Sequence, residues 1–188
     1  MELKGAAAKR ALSRPDPAIR LYVLGGPDES GSRALGDALA QAMGADAERI
    51  DLSATRLRED PALLADEAAS ISLFGGARWV SVTLFQGGGD DVLAAAENLL
   101  AAPAAGNPVI ISGAGITGKS RLAKLAKDHA AAALAISYPP TAEDAARIID
   151  DIAGPLGLRL ARDVAQAIVA ATSGDRGLMA REVEKLAL

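Results

Sequence analysis

Short apolar runs alternate with helical patterns from the N-terminus to Tyr138, and this alternation limits the fold more than any other feature. The five runs are Leu21–Leu24, Arg49–Leu52, Trp79–Leu84, Val109–Ile111 and Leu134–Ile136. Runs this short and apolar are typical of strands covered on both faces. Strands that alternate with helices form parallel sheets. The sequence therefore predicts an α/β fold with a five-stranded parallel sheet flanked by helices.

Helical patterns fill the intervals between these strands. They cover residues 3–13, 32–43, 61–70, 90–101 and 119–131. The first of them is short and basic, and it ends before the Arg14-Pro15 pair because proline disfavours a helical residue ahead of it.

The pattern changes at Tyr138-Pro139, which predicts one domain over residues 1–138 and a second over 139–188. Thr141 and Asp144 have the spacing of a capping box at the start of a helix. An apolar stripe follows, and further stripes predict two more helices, one with Val164, Ile168 and Ala171 on its buried face. We expect a small three-helix domain, a short extended piece at Leu158–Leu160, and a chain that continues past residue 188.

Composition excludes several classes of site. The chain has no cysteine and one histidine, His129, so thiolate metal sites, cysteine nucleophiles and a histidine cluster are excluded. The net charge of −4 argues against broad nucleic-acid binding, although local basic patches remain possible. No run is long and apolar enough to span a bilayer, and we expect a soluble cytoplasmic protein without a membrane partner.

Residues 113–120 match the phosphate-binding pattern GxxxxGK[ST]. In such a loop Lys119 would bind the β- and γ-phosphates and Ser120 would bind magnesium. The site also needs a strand that ends in an acidic residue, and the next strand ends in Ser137 and Tyr138 instead. We interpret the match as coincidental, with a P-loop ATPase that uses Gly113–Ser120 as the alternative.

In this class of fold the nucleotide loop usually follows the first of the predicted strands. There Gly26 and Gly31 keep the glycine spacing, but Ser32 stands where lysine is needed. The two carboxylates of Asp28 and Glu29 would also repel a polyphosphate. The sequence thus predicts a degenerate loop, no cofactor, no metal and no catalysis.

Leu73 and Phe74 lie between the predicted helix 61–70 and the third predicted strand, with Ser72 before and Gly75 after them. The glycine allows a sharp turn, and an exposed Leu-Phe pair could anchor a partner protein. The alternative is that both side chains belong to the core.

Several motifs, in order along nearly the whole chain, resemble the delta subunit of the bacterial DNA polymerase III clamp loader. These motifs are Tyr22–Glu29, Asp51-Leu52, Ser70–Gly75 with Arg78, Gly118–Lys124, Tyr138-Pro139, Gly174–Arg176 and Glu182–Leu186. A related loader ATPase and a delta-prime-like subunit are further alternatives. Loader ATPases lack a Leu-Phe tip at this place, whereas this chain has Leu73 and Phe74 there. Delta-prime subunits carry cysteine zinc ligands, and this chain has no cysteine.

The resemblance implies an AAA+-type fold, a Rossmann-like domain with a helical lid, and a C-terminal collar domain beyond this chain. It implies a subunit without ATP hydrolysis in a nucleotidyltransferase complex that acts in DNA replication. Leu73 and Phe74 would insert into the sliding clamp and help to open it, while Ser72 and Gly75 would shape the tip. Further partners would be the gamma/tau ATPases and delta-prime, with DNA bound only in the assembled complex.

Overall fold

A computed structural model describes residues 1–72, 75–102 and 106–187. Within this part of the chain six strands form one parallel sheet in the order β1-β6-β2-β5-β4-β3. The strands are β1 (Glu2–Leu3), β2 (Leu21–Gly25), β3 (Glu48–Leu52), β4 (Arg78–Thr83), β5 (Val109–Gly113) and β6 (Ala132–Ile136). The predicted fold class is confirmed. The sequence did not predict the sixth strand, β1, because a strand of two residues is too short to show alternation of apolar and polar side chains.

Helices cover the intervals between strands, and among the described residues after β6 helices and one 3₁₀ turn are the regular elements. Those of the first region are α1 (Gly5–Ser13), α2 (Glu29–Met43), α3 (Ala54–Glu59), α4 (Leu63–Ala69), α5 (Leu93–Ala101) and α6 (Arg121–Asp128). Those of the second region are α7 (Ala142–Ala153), α8 (Arg162–Ala171) and α9 (Arg176–Leu186). Short 3₁₀ turns occur at Asp90–Val92 and Gly154–Leu156. The sequence did not predict α3, a six-residue helix whose N-cap is Ser53.

Alternate residues of β2 enter two different cores, because successive side chains of a strand point to opposite faces. Leu21 and Val23 pack with side chains of α3, α4, α5 and α6. Tyr22 and Leu24 pack with side chains of α1 and α2, and burial raises the pKa of the Tyr22 hydroxyl. The sheet is therefore covered on both faces.

The chain divides into two compact units, residues 1–137 and 138–188. In the second unit Ala145, Ile149, Met179 and Val183 are fully buried in a core of its own. No helix among the described residues combines the length and the apolar character that a membrane crossing requires.

The capping box predicted at the start of α7 is present. The Thr141 hydroxyl accepts from the Asp144 amide at 3.2 Å, and a carboxylate oxygen of Asp144 accepts from the Thr141 amide at 3.4 Å. The Thr141 hydroxyl also donates to the Asp144 carboxylate at 2.6 Å, and this bond, together with the one from the Thr141 amide, holds the pKa of Asp144 below its usual value.

Two details of the second unit differ from prediction. Of the three residues predicted on the buried face of α8, Ile168 is buried, but Val164 is 38% exposed and Ala171 is exposed. Ala165 is buried instead. Residues 158–160 belong to no strand.

Candidate functional site

The segment predicted to bind the clamp connects α4 to β4, so it lies at the amino-terminal edge of the sheet. Leu73 and Phe74 fall outside the described residues. Ser72 and Gly75, which flank them, are joined by a hydrogen bond from the Gly75 amide to the Ser72 carbonyl at 3.2 Å. The φ angle of Gly75 is positive, a conformation that favours glycine, and open space surrounds the residue.

The described residues around the pair are largely open to solvent. Ile71 is 87% exposed, and Gly75, Gly76 and Ala77 are exposed as well. An isoleucine this exposed is a candidate contact residue. Ile71 is not among the contact residues predicted from the sequence, although its position beyond Ser70, where the predicted helix ends, was an available signal.

Arg78 fixes the carboxyl end of this segment. Its side chain is only 12% exposed and forms ion pairs with Glu67 at 3.2 Å and Glu48 at 3.4 Å. The guanidinium also donates to the Ser70 hydroxyl. Arg78 therefore connects the end of α4 to the start of β4.

Asn107 fixes the amino end of the same segment from the side of β5. Its side-chain amide donates to the carbonyls of Ala68 at 3.0 Å and Ser70 at 2.7 Å, and its backbone amide donates to Ala68 at 2.7 Å. These bonds satisfy carbonyls at the carboxyl end of α4. The segment that carries the exposed residues Ile71 and Gly75–Ala77 is thus firmly held at its base.

The two glycine loops lie at the opposite edge, where β2 and β5 end side by side. In the loop after β2, Asp28 is buried and acts as the N-cap of α2. Its carboxylate accepts from the Gly31 amide at 2.8 Å and from the Ser30 hydroxyl at 3.0 Å. A carboxylate of the chain itself therefore holds the place at which a helix N-terminus would bind phosphate.

Ser32 completes this arrangement. Its hydroxyl, at the position where a P-loop has its lysine, turns back and donates to the Gly25 carbonyl at 3.0 Å. A side chain on Gly31 would collide with the Asp28 carboxylate, so this glycine is required by the packing of Asp28.

The loop after β5 carries Lys119 and Ser120, but its amides form a closed turn. The Thr117 amide donates to the Ser120 hydroxyl at 2.9 Å, and the Ser120 amide donates to the Thr117 carbonyl at 3.0 Å. The Ile116 amide donates to Gly113 at 3.1 Å, and Lys119 is exposed. These amides are directed into the turn and cannot surround a phosphate without breaking it.

Packing within the GxxxxGK[ST] match also differs from a phosphate loop. Gly118, a glycine that the pattern requires, has open space around it, whereas Gly115, at an unspecified position, lies directly against the Gly87 carbonyl. No group of three or more potential metal ligands occurs among the described residues.

Known structures resemble this chain in fold. The DNA clamp loader delta protein of Bacillus subtilis superposes with a TM-score of 0.64 at 17% identity, over 96% of this chain and 56% of that protein. A Thermotoga maritima RuvB Holliday junction branch migration motor gives a TM-score of 0.52 at 16% identity, over 95% of this chain and 57% of RuvB. A variant of that RuvB gives a TM-score of 0.54 at 16% identity, with 95% and 57% covered.

The chain has an AAA+-like fold. It spans slightly more than half the length of the proteins it superposes on. No protein-family model matches the sequence, and no curated protein matches it either. At these identities the likeness establishes the fold alone.

Proposed function

We propose that the chain is part of a clamp-loader delta subunit, a non-catalytic protein that binds and opens the sliding clamp during DNA replication. The observation that carries the proposal is the solvent exposure of the described residues that flank the Leu-Phe pair. Ile71 is 87% exposed, Gly75, Gly76 and Ala77 are exposed, and Arg78 and Asn107 hold the base of the segment. The ordered motifs and the likeness in fold to a clamp loader delta protein support it.

In this proposal Leu73 and Phe74 enter an apolar pocket of the clamp, and Ile71 adds apolar contact beside them. Burying each of these side chains contributes about 1.5–3 kcal/mol, which is the scale of an interface hot spot. Ser72 and Gly75 shape the tip. The remaining loader subunits, the gamma/tau ATPases and delta-prime, are proposed partners in the assembled complex.

The absence of catalysis in this proposal rests on the two glycine loops. Asp28 and Ser32 fill the loop after β2, and the loop after β5 uses its amides within its own turn. A subunit of this kind would contribute clamp contact while the ATPase subunits hydrolyse nucleotide.

Surface plasmon resonance with immobilised sliding clamp tests the proposal directly. We expect the wild-type chain to bind and the Leu73→Ala/Phe74→Ala double variant to lose at least about tenfold in affinity. Ile71→Ala should lose about threefold to tenfold because less apolar area is buried. The control is Tyr138→Ala, which removes another exposed aromatic side chain, 66% exposed, and should bind as the wild type does.

A second variant tests the role of the loop base. Arg78→Ala should weaken clamp binding because the loop loses its anchor to Glu67 and Ser70, while Arg58→Ala removes only an exposed ion pair with Asp91. Circular dichroism should show the same fold for both. Clamp binding that is absent in the wild type, or unchanged in the double variant, would contradict the proposal.

A further inference from the structure

A second exposed apolar side chain lies at the other edge of the sheet. Phe85 follows the end of β4 and is 93% exposed, the highest value among the large apolar residues that the structure describes. The preceding residue, Leu84, is only 7% exposed, and its amide donates to the Ser112 carbonyl at 2.7 Å. The backbone next to Phe85 is therefore attached to the sheet while the ring is left in water.

Three consecutive glycines hold the loop of Phe85 against the start of α6. The carbonyl of Gly87 lies directly against Gly115, and an added Cβ on Gly88 would be 2.9 Å from the Ser120 hydroxyl. An added Cβ on Gly89 would be 2.6 Å from Leu122. Side chains at Gly88, Gly89 or Gly115 would separate the two segments, so these glycines allow the loop and the 113–122 segment to form one packed platform.

The second half of this platform is basic. Lys119, Arg121, Lys124 and Lys127 follow one another closely in sequence, and all four are exposed. The opposite face of α6 is apolar and buried, so the packing of the helix directs its cations to solvent.

Two of these four cations have an ion-pair partner. Arg121 lies 3.9 Å from Asp90, with both side chains more than 70% exposed, and Lys127 pairs with Glu2 at 3.3 Å. Lys119 and Lys124 have no ion pair within the described part of the chain. The cations that remain without an ion-pair partner there, Lys119 and Lys124, can attract a polyanion, even though the chain as a whole is acidic.

We propose that Phe85 and the cations of α6 form a contact site for single-stranded nucleic acid. A base stacks on the exposed ring of Phe85, and Lys119, Arg121 and Lys124 bind neighbouring phosphates. Single strands fit this chemistry because their bases offer free faces, which a duplex covers by stacking. The site is on the opposite edge of the sheet from the 71–77 loop and does not depend on clamp binding.

Fluorescence polarisation with labelled homopolymers of about 20 nucleotides, oligothymidylate and oligouridylate, tests this site. We expect wild-type protein to bind at about 50 mM salt with a Kd of about 10–100 µM. Three phosphate contacts predict a slope of log K against log salt of about −2. The two probes show whether the site distinguishes DNA from RNA.

Two sets of variants separate stacking from charge. Phe85→Ala should weaken binding at least about fivefold at every salt concentration and leave the slope unchanged. Lys119→Gln/Lys124→Gln should reduce the slope to about −0.7, because only one phosphate contact remains. Tyr138→Ala and Arg10→Gln/Arg14→Gln are the matched controls, since they remove exposed aromatic and basic side chains elsewhere.

The proposal is overturned if neither oligonucleotide binds the wild type at about 100 µM protein in low salt. It is also overturned if Phe85→Ala binds as tightly as Tyr138→Ala. Loss of sliding-clamp affinity in Phe85→Ala, without oligonucleotide binding by the wild type, would instead identify a protein contact. Failure of clamp binding in the Leu73→Ala/Phe74→Ala experiment leaves this result unaffected, so the two proposals can fail separately.

Discussion

The loops after β2 and β5 lie side by side at one edge of the sheet, but they differ in how well the sequence motif agrees with the backbone geometry. The loop after β2 lacks the lysine of a phosphate site, yet it keeps the local geometry: Asp28 occupies the helix N-terminus as a bound anion would. The loop after β5 has the complete GxxxxGK[ST] pattern, yet its amides form a tight turn. A phosphate site depends on where amides point, and a residue pattern alone does not fix this.

The largest expected effect comes from Gly26, at the start of the first loop. Gly26 has a φ of +104°, and a side chain there would collide with the Ser137 carbonyl. Gly26→Ala should lower the free energy of unfolding by about 3 kcal/mol or more, measured by urea denaturation.

The control variant is at Gly36 in α2, where an added side chain would face open space. Gly36→Ala should therefore stabilise the protein by about 0.5–1 kcal/mol. Equal stability of the two variants would show that the loop is not packed in this way.

Removal of the internal anion should have the next largest effect. Asp28→Ala leaves the buried Gly31 amide without its acceptor and should lower the free energy of unfolding by about 1–3 kcal/mol. Asp28→Asn keeps an oxygen that can cap α2 and should lose less. If both variants unfold at the urea concentration of the wild type, the carboxylate does not hold the loop.

A comparison of two glycines sharpens the contrast within the second loop. A methyl group on Gly115 would meet the Gly87 carbonyl, whereas one on Gly118 would meet open space. Gly115→Ala should therefore lower the free energy of unfolding by about 1–3 kcal/mol. Gly118→Ala should have little effect on it, as is usual for an exposed site away from packed groups. The reverse ranking in thermal or urea unfolding would indicate a loop arranged around the motif glycine, as a phosphate site requires.

The smallest expected effect is that of Lys119→Ala. Lys119 is exposed and has no ion pair among the described residues. Its loss should leave the free energy of unfolding nearly unchanged, as is usual for a surface substitution. Titration with a fluorescent ATP analogue and magnesium should give no binding signal with either wild type or variant. Binding that requires magnesium and disappears in Lys119→Ala would establish the ATPase alternative.

Much of the fold could be predicted because its signals are local. The apolar runs that became β2, β4 and β5 are short and dense in Leu, Ile and Val, and the Thr141–Asp144 spacing predicted the start of α7. The sequence missed β1 and α3, which are too short for a period to show. The sequence predicted that Val164 of α8 is buried, whereas Ala165 is. Alanine gives little hydrophobic signal in a sequence, and Ala165 is buried because it packs in one core with residues of α7 and α9.

The candidate site was predictable only in part. The sequence placed Ser72 and Gly75 on a loop and pointed to Leu73 and Phe74, whose exposure stays a prediction. It did not indicate that Ile71 and Phe85 are exposed, or that Arg78 and Asn107 hold the loop base. Arg78 reaches back to Glu67 and Glu48, and Asn107 reaches Ala68, so these contacts join segments that are distant in sequence.

By itself the sequence determined the α/β class, the loss of the lysine after β2 and the presence of a lysine after β5. The tertiary structure decided what each loop does with its amides. The sequence alone allows Asp28 to face solvent and Gly115 to be an unpacked loop residue. Their actual contacts depend on β2, β4 and β5, whose carboxyl ends lie next to each other in the sheet. The reason is physical: periodicity and composition act over a few neighbouring residues, whereas hydrogen-bond partners and steric limits come from whichever segments the sheet places next to each other.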